Sequence, residues 1–275
     1  MSAWQTLDRD ILRLVPPRPA DANKYSFGRL QIVAGSRKYP GAAFLCALGA
    51  FKAGCGYVAL ESFAAAEVLA KIPEVVLAHD EKATALVVGP GLPLDESARW
   101  RGHLEAKLPK LIDASALALL TAPELARFER TVFTPHSAEA ARIFGLAAED
   151  VDGNPASTEA RVRFLENHVA PRLHASSTFL LKGRETLILH KSAIRLVPTG
   201  SVAQANAGQG DLLSGVIGAL LAQGLDGFEA AQLGAYSLGL AADRLSQGLY
   251  PAGVLAHQVA EELPRLWAEV EKKQK

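Results

Sequence analysis

An alternation restricts the fold of this chain more than any other feature. Short apolar runs end in polar or glycine-rich turns, a helical segment follows, and the unit recurs along most of the 275 residues. Strand-like runs fall at 28–35, 57–60, 85–88, 111–112, 131–133 and 178–181, and 186–189 with 193–197 reads as a paired set. Segments 42–53 and 65–71 are helical, and 211–270 is almost wholly so, broken at Gly224, Gly248 and Pro251. The pattern predicts an α/β fold: an open, mostly parallel central sheet with helices on both faces. Sheets of this kind bind ligands beyond the carboxyl ends of their strands. Ser36, Gly91, Asp113, His136 and Lys182 fall there. With neither an internal repeat nor a long linker, 1–275 reads as one domain, with 1–24 a lead-in containing a short helix at 7–14.

Composition narrows the function. Lys and Arg together number 29, as do Asp and Glu, so there is no basic excess for nucleic acid or an anionic membrane. Attraction for an anionic ligand must then be local. Cys46 and Cys55 are the only cysteines and lie in apolar surroundings, as reduced core residues of a cytoplasmic protein do. The first 17 residues lack the apolar core of a signal peptide, and no apolar run has membrane-spanning length.

Residues 205–221 carry the sharpest chemistry. Ala205-Asn206-Ala207-Gly208-Gln209-Gly210-Asp211 leads into Leu212, Leu213, Val216, Ile217, Leu220 and Leu221, which repeat at helical spacing. The unpaired N–H groups at such a helix start, here those of Gly208, Gln209 and Gly210, form a seat for phosphate oxygens. A carboxylate there repels phosphate unless it acts as a base. Asp211 suits the removal of a proton from a hydroxyl that attacks phosphorus. The plainer alternative is that Asp211 caps the helix.

Other motifs carry two readings each. Gly54-Cys55-Gly56 precedes a strand instead of following one, so it is a helix-to-strand turn and not a dinucleotide fingerprint. Residues 35–41 lack the Lys and Ser/Thr of a Walker A loop. The seven His and two Cys show no metal-ligand spacing, so no metal site is assigned. Gly89-Pro90-Gly91 is either a rigid turn or a place where backbone lies close to a flat ligand. His136 and Glu139 either contact substrate and a Mg²⁺-bound water, or simply begin a helix. Lys182 to Thr186 is a hairpin turn that is either solvated or folded over a nucleotide. Asp113 either contacts a ligand hydroxyl or caps a helix starting at Ala114.

The order of these pieces says more than any one of them. Val33-Ala34-Gly35-Ser36, Gly41-Ala42-Ala43, Gly89-Pro90-Gly91-Leu92, Asp113-Ala114, Thr134-Pro135-His136-x-x-Glu139, Leu181-Lys182-Gly183 and Gly208-x-Gly210-Asp211 together resemble the ADP/ATP-dependent NAD(P)H-hydrate dehydratases of the ribokinase-like superfamily. The resemblance runs from about Tyr25 to about Trp267. It implies a ribokinase-like fold and the dehydration of the S epimer of hydrated NADH or NADPH, with ADP or ATP as co-substrate and Mg²⁺ on the phosphates. It implies Ala42, Gly91, His136 and Asp211 at the hydrate and Asp211 as the catalytic base. It implies Lys182, Gly183, Arg184, Glu185, Thr186, Gly208, Gln209 and Gly210 at the nucleotide. It further implies a homo-oligomer, tetrameric in relatives, and a functional link to a separate epimerase. Bifunctional relatives carry an epimerase domain upstream, for which the short lead-in here has no room. The chain departs from the family at Gln209, where Ser or Thr is common, at Asn206 and Ala207, and at Ser137-Ala138, where Pro-Gly is common. A small-molecule kinase of the same superfamily and a non-catalytic nucleotide-binding relative are the competing expectations.

Overall fold

The computed structural model describes residues 4–274, with side chains through residue 270. Its strands are β1 (Gln5–Thr6), β2 (Arg29–Val33), β3 (Tyr57–Glu61), β4 (Ala85–Val88), β5 (Lys110–Ile112), β6 (Thr131–Phe133), β7 (Thr178–Leu181), β8 (Thr186–His190) and β9 (Ala193–Val197). They form one sheet in the order β1-β9-β8-β7-β6-β5-β4-β2-β3. Only the β7–β8 and β8–β9 pairs are antiparallel. The lead-in contributes more than its composition suggests. Gln5 and Thr6 pair in parallel with Arg195 and Leu196, so the chain's start forms one edge of the sheet. The helix expected at 7–14 is a 3₁₀ turn at Arg9–Leu14, capped by Asp8.

The α-helices are α1 (Pro40–Lys52), α2 (Ala65–Leu69), α3 (Ala114–Leu117), α4 (Ser137–Phe144), α5 (Ala148–Asp152), α6 (Thr158–Phe164), α7 (Gln209–Ala222), α8 (Gly227–Ser246) and α9 (Ala256–Gln274). Strand side chains alternate between two cores, because successive residues of a strand face opposite ways. Leu30, Ile32 and Val87 join the core under α1, α7, α8 and α9. Val33, Leu86 and Val88 join the core under α3, α4 and α6. Burial on both sides explains why β4 is an uninterrupted apolar run and why β2 is apolar except at Arg29 and Gln31.

Two features of the fold position the site. Chain direction across the sheet reverses at β2, which has β3 on one side and β4 on the other. Ligands bind at such a reversal, in the crevice above the strand ends. There the Gly35 N–H donates to the Pro90 carbonyl at 2.7 Å. Helix α7 meanwhile lies tightly against α1, because a Cβ on Gly215 would stand 1.9 Å from the Cys46 carbonyl oxygen. That close approach fixes where α7 begins, and so where Asp211 stands.

Candidate active site

Gly208 is the N-cap of α7, with φ of +92°. The helix proper begins at Gln209, and the Leu212 N–H makes the first bond back, to the Gly208 carbonyl at 3.0 Å. The N–H groups of Gln209, Gly210 and Asp211 therefore have no acceptor among the described residues. The open helix start is there, with its free N–H groups one residue further along than Gly208, Gln209 and Gly210. Asp211 lies in this first turn, and no backbone N–H is bonded to its side chain. The capping role is thus not what holds it. Burial first, then the negative charge of Asp113, push the Asp211 carboxyl up to about 6, while Lys182 opposes them.

Asp113 and Lys182 complete the cluster. Asp113 follows β5 and occupies the N-cap position of α3, yet its side chain makes no capping bond. Instead it is buried at 2% exposure, accepting from Lys182 Nζ at 2.8 Å and from Ser214 Oγ at 2.8 Å. The Gly210 carbonyl, one turn back along α7, lies 3.0 Å from the same Ser214 Oγ and shares its single proton with Asp113. The backbone here is constrained. A Cβ on Gly89 would strike the Asp113 carbonyl, and Ala114 takes a φ of +47°, a conformation L-residues seldom adopt. Lys182 follows β7 directly and turns inward, its Nζ 3.9 Å from Glu139 Oε2. Burial pulls its ammonium down, but Asp113, Glu139 and Asp211 together outweigh that and hold its pKa above the ordinary lysine value. A Cβ on Gly210 would lie 3.4 Å from Lys182 Nζ, so the lysine stands directly against the anion seat. The Cys46 thiol is raised well above its usual range, by burial first and then by Asp211 and Asp113, and is inert beneath them.

His136 and Glu139 form a reciprocal cap at the start of α4. The His136 N–H donates to Glu139 Oε2 at 2.9 Å, and Nδ1 accepts from the N–H groups of Ala138 and Glu139 at 3.2 and 3.4 Å. The helix-start reading holds for this pair's geometry, with His136 still more than half exposed at the mouth of the site. The strand ends bring His136 beside Lys182 in a short parallel bridge. Ala42 and Gly91 meet on the α1 side, where a Cβ on Gly91 would lie 2.6 Å from that of Ala42.

The 182–186 segment is the β7–β8 hairpin, as expected, with Gly183, Arg184 and Glu185 exposed. Thr186 starts β8 and pairs with Val197. Sequence reasoning missed what supports this hairpin. Arg161 of α6, 6% exposed, donates to the carbonyls of Leu181 and Lys182 at 3.0 and 2.9 Å and also to that of Glu185. Its Nε lies 3.2 Å from Asp152 Oδ1, which accepts from Ser137 Oγ at 2.6 Å. Thr158 binds the Glu185 carboxylate. No spacing in the sequence announces Arg161; a charged residue among apolar neighbours in α6 is the only sign. Ser214 was findable, since it lies three residues after Asp211 on the same helical face.

Gln209 is the unsettled member. Both its amide atoms are buried and have no partner among the described residues. Thr134 Oγ1, at the end of β6, is unpartnered in the same way. Orphaned polar groups of this kind cost about 1–3 kcal/mol each and call for a partner.

The sheet whose strand order reverses at β2, with helices on both faces, is a ribokinase-like α/β fold, and an open helix N-terminus and a raised acid lie at its strand ends. The sequence profile described as NAD(P)H-hydrate dehydratase matches residues 30–265, and the chain belongs to that family. The chain is 34% identical to the ADP-dependent (S)-NAD(P)H-hydrate dehydratase of Neisseria meningitidis, over 88% of this chain and 86% of that protein. It is 42% identical over 226 residues to the bifunctional NAD(P)H-hydrate repair enzyme Nnr of Mycobacterium tuberculosis, covering 78% of this chain and 45% of the other. The chain thus spans about half the length of its bifunctional relatives. Among solved structures, the Bacillus subtilis ADP/ATP-dependent NAD(P)H-hydrate dehydratase co-crystallised with ATP/Mg²⁺ superposes at a TM-score of 0.81 with 28% identity, over 94% of this chain and 95% of that one. No helix among the described residues is long and apolar enough to cross a membrane.

Proposed function

We propose that this protein dehydrates the S epimer of hydrated NADH or NADPH at the expense of ADP or ATP, with Asp211 as the base. The carrying observation is the half-buried acid, raised to about 6, in the first turn of a helix whose N–H groups are open. Hydroxide leaves a ring carbon poorly, and phosphate leaves well. Asp211 takes the proton of the ring hydroxyl as that oxygen bonds to the terminal phosphorus, and the bond from phosphorus to the bridging oxygen of the nucleotide breaks. The ring nitrogen's lone pair then expels phosphate, leaving a ring iminium, and transfer of the C5 proton to the departing phosphate or to water restores the dihydropyridine. A base with a pKa near 6 is largely ionised at neutral pH yet basic enough to accept the proton.

The remaining residues hold and shield. The N–H groups of Gln209, Gly210 and Asp211 receive the charge that grows on the phosphoryl oxygens, beside the Lys182 ammonium. Residues 182–186 cover the nucleotide, with Gly183, Arg184 and Glu185 offering exposed backbone and Thr186 a hydroxyl. Gly208, whose positive φ makes the turn into α7, and Gln209, which begins the helix, complete the nucleotide's side. Ala42, Gly91 and His136 line the hydrate's side. Magnesium on the phosphates would neutralise part of their charge. Glu139 fits a water of its shell, since only Oε2 of its carboxylate is engaged among the described residues. The same reading includes a homo-oligomer and a functional link to a separate epimerase.

The test is direct. Hydrated NADH, Mg²⁺ and ADP or ATP are mixed with the protein, and regained dihydronicotinamide absorbance is followed together with phosphate release. Equal yields of both are expected. A stable phosphorylated alcohol with no NADH regained would make the protein a kinase instead. Nucleotide binding without phosphate release would make it a non-catalytic relative.

A further inference from the structure

The far edge of the sheet carries a second group of titratable side chains with no part in this chemistry. Glu61 ends the edge strand β3, His79 lies in the loop between α2 and β4, and His103 sits in the 3₁₀ turn Arg101–Glu105 between β4 and β5. No spacing in the sequence links them. In the fold, His79 Nδ1 is 2.8 Å from Glu61 Oε1, and His103 Nε2 is 3.0 Å from Glu61 Oε2. One ligand atom from each residue lies within 4.8 Å of the other two. We propose that Glu61, His79 and His103 form a binding site for a divalent transition metal of the zinc class, separate from the phosphate-bound magnesium.

The donor chemistry selects the metal. Two imidazoles and one carboxylate suit zinc and its neighbours, whereas magnesium and calcium favour oxygen alone. Donors about 2.0–2.1 Å from a tetrahedral zinc stand roughly 3.3 Å from one another. The two histidine–glutamate distances, 2.8 and 3.0 Å, lie close to that spacing, and the two imidazole donors lie within 4.8 Å of each other. The imidazole rings are tilted at 43° with centroids 5.8 Å apart, so both can turn a nitrogen toward one point without stacking. The site faces solvent, with His79 more than half exposed and a cavity of about 360 Å³ beside Glu61, Leu77, Ala78, Arg99 and Trp100. Solvent therefore reaches the cluster from the His79 side, where water can complete the coordination.

The surroundings are built to hold these donors. Gln31 of β2 is a polar residue only 1% exposed. Its Nε2 donates to Glu61 Oε1 at 3.4 Å, and its Oε1 accepts from the Asp80 N–H at 2.7 Å. Arg29 holds the Asp80 carboxylate with bonds of 2.9 and 2.8 Å. One buried amide thus fixes Glu61 and the residue next to His79, which is how metal sites orient their ligands from behind. On the other side, the His103 N–H donates to the Trp100 carbonyl at 3.1 Å, and buried Trp100 donates to the Pro93 carbonyl at 2.9 Å. Metal binding would tie the edge strand to the segment that follows Gly91.

Metal-free protein titrated with ZnCl₂ in a calorimeter is expected to bind one equivalent at this site. H79A and H103A should each weaken that binding at least about tenfold, and Q31L to a similar degree. H257A, an exposed histidine elsewhere, should leave it unchanged. Co²⁺ should give visible absorption bands of four- or five-coordinate metal that vanish in the H79A/H103A double variant. Zinc should raise the melting temperature of the parent protein and not that of the double variant. If a histidine variant fails to fold, the nearly isosteric Glu61→Gln serves, and it should also lose binding. Absence of zinc binding by the parent, or undiminished binding by the folded double variant or by E61Q, would overturn the proposal and leave two histidine–carboxylate hydrogen bonds. The hydrate assay is independent of either result.

Discussion

Asp113 and His136 stand at matching places, each at the carboxyl end of a parallel strand and the N-cap position of the next helix. His136 spends its side chain on its own helix, accepting from two backbone N–H groups. Asp113 leaves its helix uncapped and reaches to Lys182 and Ser214, which lie 69 and 101 residues away in sequence. A cap satisfied locally stabilises one helix end and little else. A carboxylate given up to distant partners couples β5, β7 and α7, and its charge raises the acid beside it. The difference teaches that the same position at a helix start can serve either the helix end or a distant cluster, according to what the neighbouring strand supplies.

The largest break in this contrast should come at the acid that Asp113 influences. Asp211→Asn is expected to lower turnover on the order of a hundred- to ten-thousandfold in the coupled NADH and phosphate assay, with nucleotide binding retained by calorimetry. The folded Asp211 pKa, about 6, lies above its unfolded value of 3.8. The ionised acid therefore destabilises the fold fully above pH 6, and that penalty fades as pH falls through 6 toward 3.8. D211N should accordingly melt later than the parent at pH 7.5, by about 1–3 kcal/mol in a denaturant titration, with the difference shrinking below pH 4.

Next in size is Asp113→Ala, expected to destabilise by about 2–4 kcal/mol because it strands the Lys182 ammonium. The matching change, His136→Ala, removes only a cap and should cost about 1 kcal/mol. Equal losses from the two, measured by chemical denaturation, would erase the contrast. A finer version uses pH. The rate for the parent should rise with a limb near pH 6. D113N should move that limb to lower pH, since a charge that raised Asp211 is gone. Lys182→Gln should move it higher, and H136A should leave it in place. The smallest effect belongs to the hairpin's support. Arg161→Lys retains the charge but loses the forked bonds to three carbonyls, so the nucleotide KM should rise severalfold with the limb unmoved.

The apolar runs located the strands at 85–88, 131–133 and 178–181 to the residue, because a strand buried on both faces writes its position into consecutive residues. The helix start at Gly208–Asp211 and the 182–186 turn were legible for the same reason, being local chemistry. Edge strand β1 was not, since Gln5 and Thr6 are polar, exposed and too few to show a pattern. Nor was Arg161, whose partners are carbonyl oxygens, and every residue type carries those.

By itself, then, the sequence determined the central strands, the glycine-flanked start of α7 and the acid in its first turn, since each depends on residues within one turn or one strand. Only the tertiary structure decided that Asp113 abandons its helix for Lys182, that Arg161 underpins the hairpin, and that Glu61 meets His79 and His103. Those pairings depend on which strands lie side by side. Sheet order is settled by packing across the whole chain, a quantity no local window of residues contains.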